Sequence, residues 1–274
     1  MTKKVTSSLA PATKTSTKKK PTKPYKSKKA SSGLLASVGA LLDRALKAPP
    51  KSRLQTMSED KLFEVLALAR LLSAYKHREF GSTVVHIPPA PKVLKKPLSS
   101  VKAKAAAAKP AKIVVAGGPA SRNRAKFSHF ELHDSAGVVQ AEAWVSLKVH
   151  ALSWVLRGAP TPVPLAGLHE LDVALVDPGT SPYPRPEEVC VGVSCKNRGT
   201  STKEHVREAL GLRRETALLS DPTPSRAPWL MRHVPADPAS PLLLLSSDVG
   251  VTKYREPVDA FGVYVRFLRF RTYL

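Results

Sequence analysis

Cysteine is nearly absent from this chain, with only Cys190 and Cys195 in 274 residues. Their odd spacing would set them on opposite faces of a strand, so neither a disulfide framework nor a paired-cysteine metal site is expected. The eight histidines are scattered along the chain and form no Cys/His quartet, which argues against structural zinc. Long apolar runs are also missing. The longest, residues 62–72, is interrupted by Glu64 and Arg70 and is too short to span a bilayer. No apolar run follows the N-terminal lysines, so no secretory signal is expected. Without GxSxG or GxxxxGK[ST], neither a serine-elbow hydrolase nor a phosphate-loop nucleotide hydrolase is indicated. The expectation is a cytoplasmic protein, not secreted and with no membrane partner.

Acids are missing from two particular stretches. Residues 1–30 hold ten lysines and residues 90–126 hold ten basic residues, neither with an acid, and together they supply 20 of the net +23. The remainder is close to neutral. With 42% hydrophobic residues, the chain as a whole can bury a core. Residues 1–32 are Lys, Thr, Ser and Pro, and residues 88–126 are a basic Pro/Ala/Lys linker. Both lack the large apolar side chains that offset ordering entropy, so both are expected to be disordered.

Between and after these segments the pattern is that of a folded body. Residues 33–48 carry apolar residues at helical spacing up to Pro49 and Pro50. A second helix begins after Ser58, a suitable N-cap followed by Glu59 and Asp60. It is apolar nearly all round, so it should be buried. From Phe127 the periodicity turns to strands: FSHFELHD and VVQAEAWVSLKV around a loop at residues 135–137, then HELDVALVD and EEVCVGVSCK. Residues 151–156 extend this element or form a short helix. Ser201 and Glu204 read as a capping box opening a helix to about residue 219. Two more strands follow, near residues 241–247 and 260–270. The expected organisation is a helical segment, 33–87, contributing the first helix of an α/β core formed by 127–274 around one central sheet.

Strict alternation in HELDVALVD puts Leu171, Val173 and Leu175 on one face, with Glu170, Asp172, Ala174 and Val176 on the other. In the next strand Val191, Val193 and Cys195 oppose Gly192, Ser194 and Lys196. Each of these apolar strands nonetheless carries a charge, Asp172 in one and Lys196 in the other. An unpaired buried charge costs several kcal/mol, so the two are expected to meet each other, a metal or a substrate. A carboxylate and a lysine aimed at one spot suit phosphodiester hydrolysis. The acids hold Mg²⁺ and the lysine orients water or stabilises the transition state.

The sequence of KLFEVLALARLL, HELDVALV, VGVSCKN and a following helix resembles the PD-(D/E)xK nuclease superfamily. That resemblance implies a restriction-endonuclease-like fold, a central mixed sheet flanked by helices. It implies catalytic roles for Glu64, Asp172 and Lys196, with Mg²⁺ or Mn²⁺ held by Asp172 and Glu64. Glu170, on the face of Asp172, is a further candidate ligand. The departure is Ser194, which stands where the superfamily places an acid. Glu204, Glu208 or Glu215 on the following helix are candidates to replace it. The implied activity is metal-dependent endonucleolytic cleavage, with a catalytically degenerate nucleic-acid binder as the alternative. The expected partner is nucleic acid, DNA in preference to RNA, which for DNA would put the protein at the nucleoid. Lys18, Lys19, Lys20, Lys28, Lys29, Lys95, Lys96, Arg122 and Arg124 are the expected tethers, through counterion release.

Overall fold

The computed structural model describes residues 28–47, 54–90 and 112–270. Helix α1 (Ser32–Ala45) is capped by Ser31, whose hydroxyl accepts the Leu34 amide, and it buries Leu34, Val38, Leu42 and Ala45 along one stripe. Helix α2 (Glu59–Arg78) is capped by Ser58, with Glu59 and Asp60 in its first turn and Lys76, His77 and Arg78 in its last. Each end therefore complements the helix dipole. As expected from its composition, α2 is buried on almost every side, with Phe63 edge-on to Phe270 at 5.4 Å.

The body is α/β, built on a mixed seven-stranded sheet flanked by helices. Strands β1 (Thr83–Ile87), β2 (His129–His133), β3 (Val139–His150), β4 (Leu168–Val176) and β5 (Val189–Lys196) run antiparallel in succession. Beyond β5 lie β8 (Leu242–Ser246) and β9 (Val263–Phe267), both parallel to it. Parallel neighbours need a crossover. Helix α4 (Lys203–Thr216) and a two-stranded ribbon, β6 (Leu218–Pro224) with β7 (His233–Asp237), supply it. A short helix α3 (Leu152–Leu156) follows β3, settling the choice left open there. One face of the sheet packs on α1 and α2 through Val173, Leu175, Val191 and Val193; the other packs on α4 through Ala174, Val176, Val206 and Ala209.

Several expectations are corrected. Strand β1 and the β6–β7 ribbon were not foreseen; Pro222 and Pro224 concealed β6, and Leu218 and Leu219 belong to it rather than to the helix. The N-cap of α4 is Thr202, because Ser201 instead hydrogen-bonds Ser246 Oγ at 2.9 Å and gives its amide to Asp248. Cys190 and Cys195 are free, yet both lie against the α1/α2 cluster, since the β4–β5 register slips between Leu175 and Val176. Residues 112–126 are not a tether. Ile113 and Val115 are buried, Ala120 donates to the Ser146 carbonyl and accepts from the Lys148 amide, and Ser128 donates its amide to Val114. Of the expected linker, residues 91–111 lie outside the described residues. Among the described residues, no helix is long and apolar enough to cross a membrane.

Candidate active site

The alternation of both central strands fails at one point. In β3, Ala141, Ala143 and Val145 pack toward α1 and α2, whereas Leu147 and Val149 pack with Trp144 on the α4 face. In β4, Val173 and Leu175 face α1 and α2, but Leu171 joins Ala174 and Val176 on the other side. The expected grouping of Leu171 with Val173 and Leu175 is therefore wrong. Both slips fall between the paired rungs Val145–Val173 and Leu147–Leu171, where Ser146 and Asp172 stand. Ser146 takes a left-handed φ of 54° in mid-strand. A non-glycine residue there costs about 1–2 kcal/mol, so the surroundings must hold it.

What holds it is polar. The buried Ser146 hydroxyl donates to Glu64 Oε2 at 3.0 Å and accepts a short hydrogen bond from Lys61 Nζ. Lys61 also pairs with Glu64 Oε2 at 2.6 Å, one helical turn away on α2. Glu64 is only 8% exposed. Burial pushes its carboxyl up to about 8; Lys61 opposes that rise and Asp172 adds to it. Asp172 accepts the Cys195 amide at 2.6 Å through Oδ2. Burial raises its carboxyl to about 6 against the Cys195 amide, with Glu170 adding and Lys196 and Lys61 opposing. Cys195 faces the same group; burial first, then Asp172 and Glu64, push its thiol well up, so it is an uncharged lining side chain.

Glu64 and Asp172 are thus brought together, with Lys61 between helix and sheet. Lys196 is not paired with Asp172. It bonds Glu208 on α4 at 2.6 Å, though its charge still acts on Asp172. Ser194 is buried one residue from Cys195, in register with Leu244 of β8. Of the candidate replacement acids, Glu208 meets Lys196, and Glu215 accepts Ser153 Oγ at 2.7 Å with His169 3.8 Å away. Glu170 stands opposite Lys148 in the β3–β4 ladder. Asn197, just past Lys196, donates to Asp60 Oδ1 at 3.0 Å and accepts from Ser247, tying the start of α2 to the ends of β5 and β8.

Lys61, Ser146 and Asn197 escaped sequence reasoning as site residues. A lysine one turn before Glu64 on a largely apolar helix was the available signal. Nothing in the local sequence announces the strained backbone of Ser146. Among the described residues, no three His, Cys, Asp or Glu side chains form a metal-binding group.

The expected tether residues fare differently. Lys28 and Lys29 are exposed, but their backbone is part of the body: the Lys28 carbonyl accepts the Glu59 amide, and Lys29 bridges Ser58. Arg124 pairs with the buried Glu142 and donates to the Gly179 carbonyl at 2.7 Å. Arg122 is only 6% exposed, and its three guanidinium nitrogens have no hydrogen-bond partner among the described residues. Both arginines thus sit in a segment that packs on the sheet rather than in a free tether. Lys18, Lys19, Lys20, Lys95 and Lys96 lie outside the described residues.

The chain matches no family model, no curated protein and no solved structure.

Proposed function

We propose that the protein is a metal-dependent nuclease that hydrolyses phosphodiester bonds, with its centre at Glu64 and Asp172. The observation that carries this reading is the convergence of a buried glutamate from a helix and a half-buried aspartate from the middle of a sheet, with Lys61 and Lys196 near them. Burying such acids is costly unless a cation takes them up. Each has one oxygen engaged, Glu64 Oε2 and Asp172 Oδ2, which leaves the other for a ligand. Two carboxylates suit Mg²⁺ or Mn²⁺, since Mg²⁺ keeps several waters and is commonly held by one or two carboxylates plus substrate phosphates. A cation held there would acidify bound water and offset charge building on the phosphate.

The chain's own residues then divide the work. Asp172 and Glu64 supply the negative charge, and Glu64 must shed a proton to do so fully at neutral pH. Lys196, released from the exposed Glu208, supplies positive charge toward the scissile phosphate; an ion pair with a solvent-exposed carboxylate is weak enough to exchange. The order of buried glutamate helix, Asp strand, lysine-ended strand and helix supports a restriction-endonuclease-like fold. The acid-free stretches 1–30 and 90–111 support nucleic acid as the substrate, DNA in preference to RNA. A second reading, a nucleic-acid binder that does not cut, is favoured by two observations: Ser194 offers no acid, and Lys61 already occupies Glu64 Oε2.

The test is cleavage of labelled single- and double-stranded DNA and RNA with Mg²⁺ or Mn²⁺ at low salt. Wild type is compared with Asp172→Ala and Lys196→Ala. Cleavage lost in both variants while binding survives supports the nuclease. Salt-sensitive binding with no cleavage of any substrate by the wild type favours the binder.

A further inference from the structure

If Glu64 and Asp172 bind a divalent cation, a competing cation is already seated on Glu64, and its charge acts on Asp172. The Lys61 ammonium lies 2.6 Å from Glu64 Oε2, with the two side chains only 10% and 11% exposed, and it also lowers the proton affinity of Asp172. Its second contact is the hydroxyl of Ser146, the residue at which β3 gives up its regular backbone. Ser146 is itself clamped from behind, because its carbonyl accepts the Ala120 amide at 2.8 Å. A helix-surface ion pair needs none of this. Here a strained, fully buried serine and a lysine on a buried helix converge on one carboxylate oxygen.

We propose that Lys61 is an internal cation for the Glu64–Asp172 pair, one that a divalent ion must displace, and that Ser146 is the positioning residue that keeps it there. The proposal rests on the cation-binding reading of the acid pair and adds the element that sets its affinity. Two cations cannot share one desolvated carboxylate pair without strong repulsion. A divalent ion feels the loss of the lysine charge about twice as strongly as a single proton taking the lysine's place. The direction of the effect therefore does not depend on how the acids are protonated. The bound lysine makes metal occupancy conditional on circumstances that draw the ammonium away, such as a nearby phosphate.

The test is Mn²⁺ titration of the full-length protein, following the free-ion signal by electron paramagnetic resonance, with no nucleic acid present. Wild type is compared with Lys61→Met, Ser146→Gly and Asp172→Asn. Lys61→Met should bind Mn²⁺ at least tenfold more tightly than wild type. Ser146→Gly should tighten binding by a smaller factor, because the lysine loses its second anchor, while Asp172→Asn should weaken it. Glycine adopts a φ of 54° without strain, so Ser146→Gly decides the matter if Lys61→Met does not fold. A merely structural role for Lys61 predicts equal or weaker binding in these variants. Asp172-dependent binding of equal strength in wild type, Lys61→Met and Ser146→Gly would overturn the internal cation alone. No Mn²⁺ binding by any of the four proteins would overturn it together with the cation-binding reading.

Discussion

Replacing Glu64 with glutamine should change how stability depends on pH, by an amount the burial of this group sets. The carboxyl is raised from 4.5 to about 8 in the folded state, chiefly by burial. The folded protein therefore binds more protons than the unfolded chain between these values, so stability falls as pH rises through that window. The full loss is about 5 kcal/mol at 1.36 kcal/mol per pKa unit, of which about 2 kcal/mol falls between pH 6.5 and 8.5. Glutamine keeps the shape and an acceptor for Lys61 and Ser146 but cannot ionise. Urea unfolding at half-unit steps from pH 6.5 to 8.5 would measure it, with the difference between wild type and Glu64→Gln cancelling every other titrating group. The difference should shift in favour of the variant by about 2 kcal/mol across that range. Parallel curves for the two proteins would refute the claim that Glu64 is held against its ionisation.

Three further outcomes follow from buried polar groups elsewhere. Arg122→Met should leave the melting temperature unchanged or raise it, by the equivalent of about 1–3 kcal/mol, because it replaces a buried guanidinium with no hydrogen-bond partner among the described residues by an apolar side chain; a clear fall on calorimetry would show a partner for Arg122. Arg213→Ala should destabilise by about 3 kcal/mol in denaturant titration, since it removes the link from α4 to the Ser240 carbonyl at 2.6 Å and leaves that buried acceptor open; a loss under 1 kcal/mol would contradict it. His86 and His129 are both lowered to about 4 by burial, with Arg124, His86 and Arg122 adding to the effect at His129. Both stay neutral in the fold, so stability should fall as pH drops from 6.5 toward 4, and each ring's nuclear magnetic resonance shift should titrate near 4 rather than near 6.5.

Much of the architecture could be read from local pattern, because the elements are short-range consequences of side-chain period and caps. Ser58 with Glu59 and Asp60 announced α2, and the hydrophobic content of β3, β4 and β5 announced buried strands. The pattern failed where a tertiary contact overrode a local preference. Residues 112–126 read as linker because they continue an acid-free basic stretch, yet Ile113 and Val115 are buried and Ala120 hydrogen-bonds β3. β6 escaped because its prolines argue against a strand in general but are tolerated in a ribbon exposed on its edges.

The candidate site divides along the same line. Glu64, Asp172 and Lys196 stand out from sequence because each is a charge in an apolar element. Alternation put Asp172 on the correct strand but misassigned its neighbours, since strict period two cannot foresee a slip shared by β3 and β4. The direction of Lys196 toward Glu208, and the seating of Lys61 between Glu64 and Ser146, depend on how α2 and α4 dock on opposite faces of the sheet. No spacing along the chain encodes those contacts.

The most direct measurement is cleavage of labelled DNA and RNA by wild type and Asp172→Asn across a Mn²⁺ series. Asparagine preserves the shape of Asp172 and its acceptor for the Cys195 amide, so folding and substrate binding should survive. The account predicts Mn²⁺-dependent cleavage by wild type, reduced at least a hundredfold in Asp172→Asn at equal substrate binding. Cleavage of equal rate in both proteins, or none by wild type at any Mn²⁺ concentration while nucleic acid still binds, would contradict it.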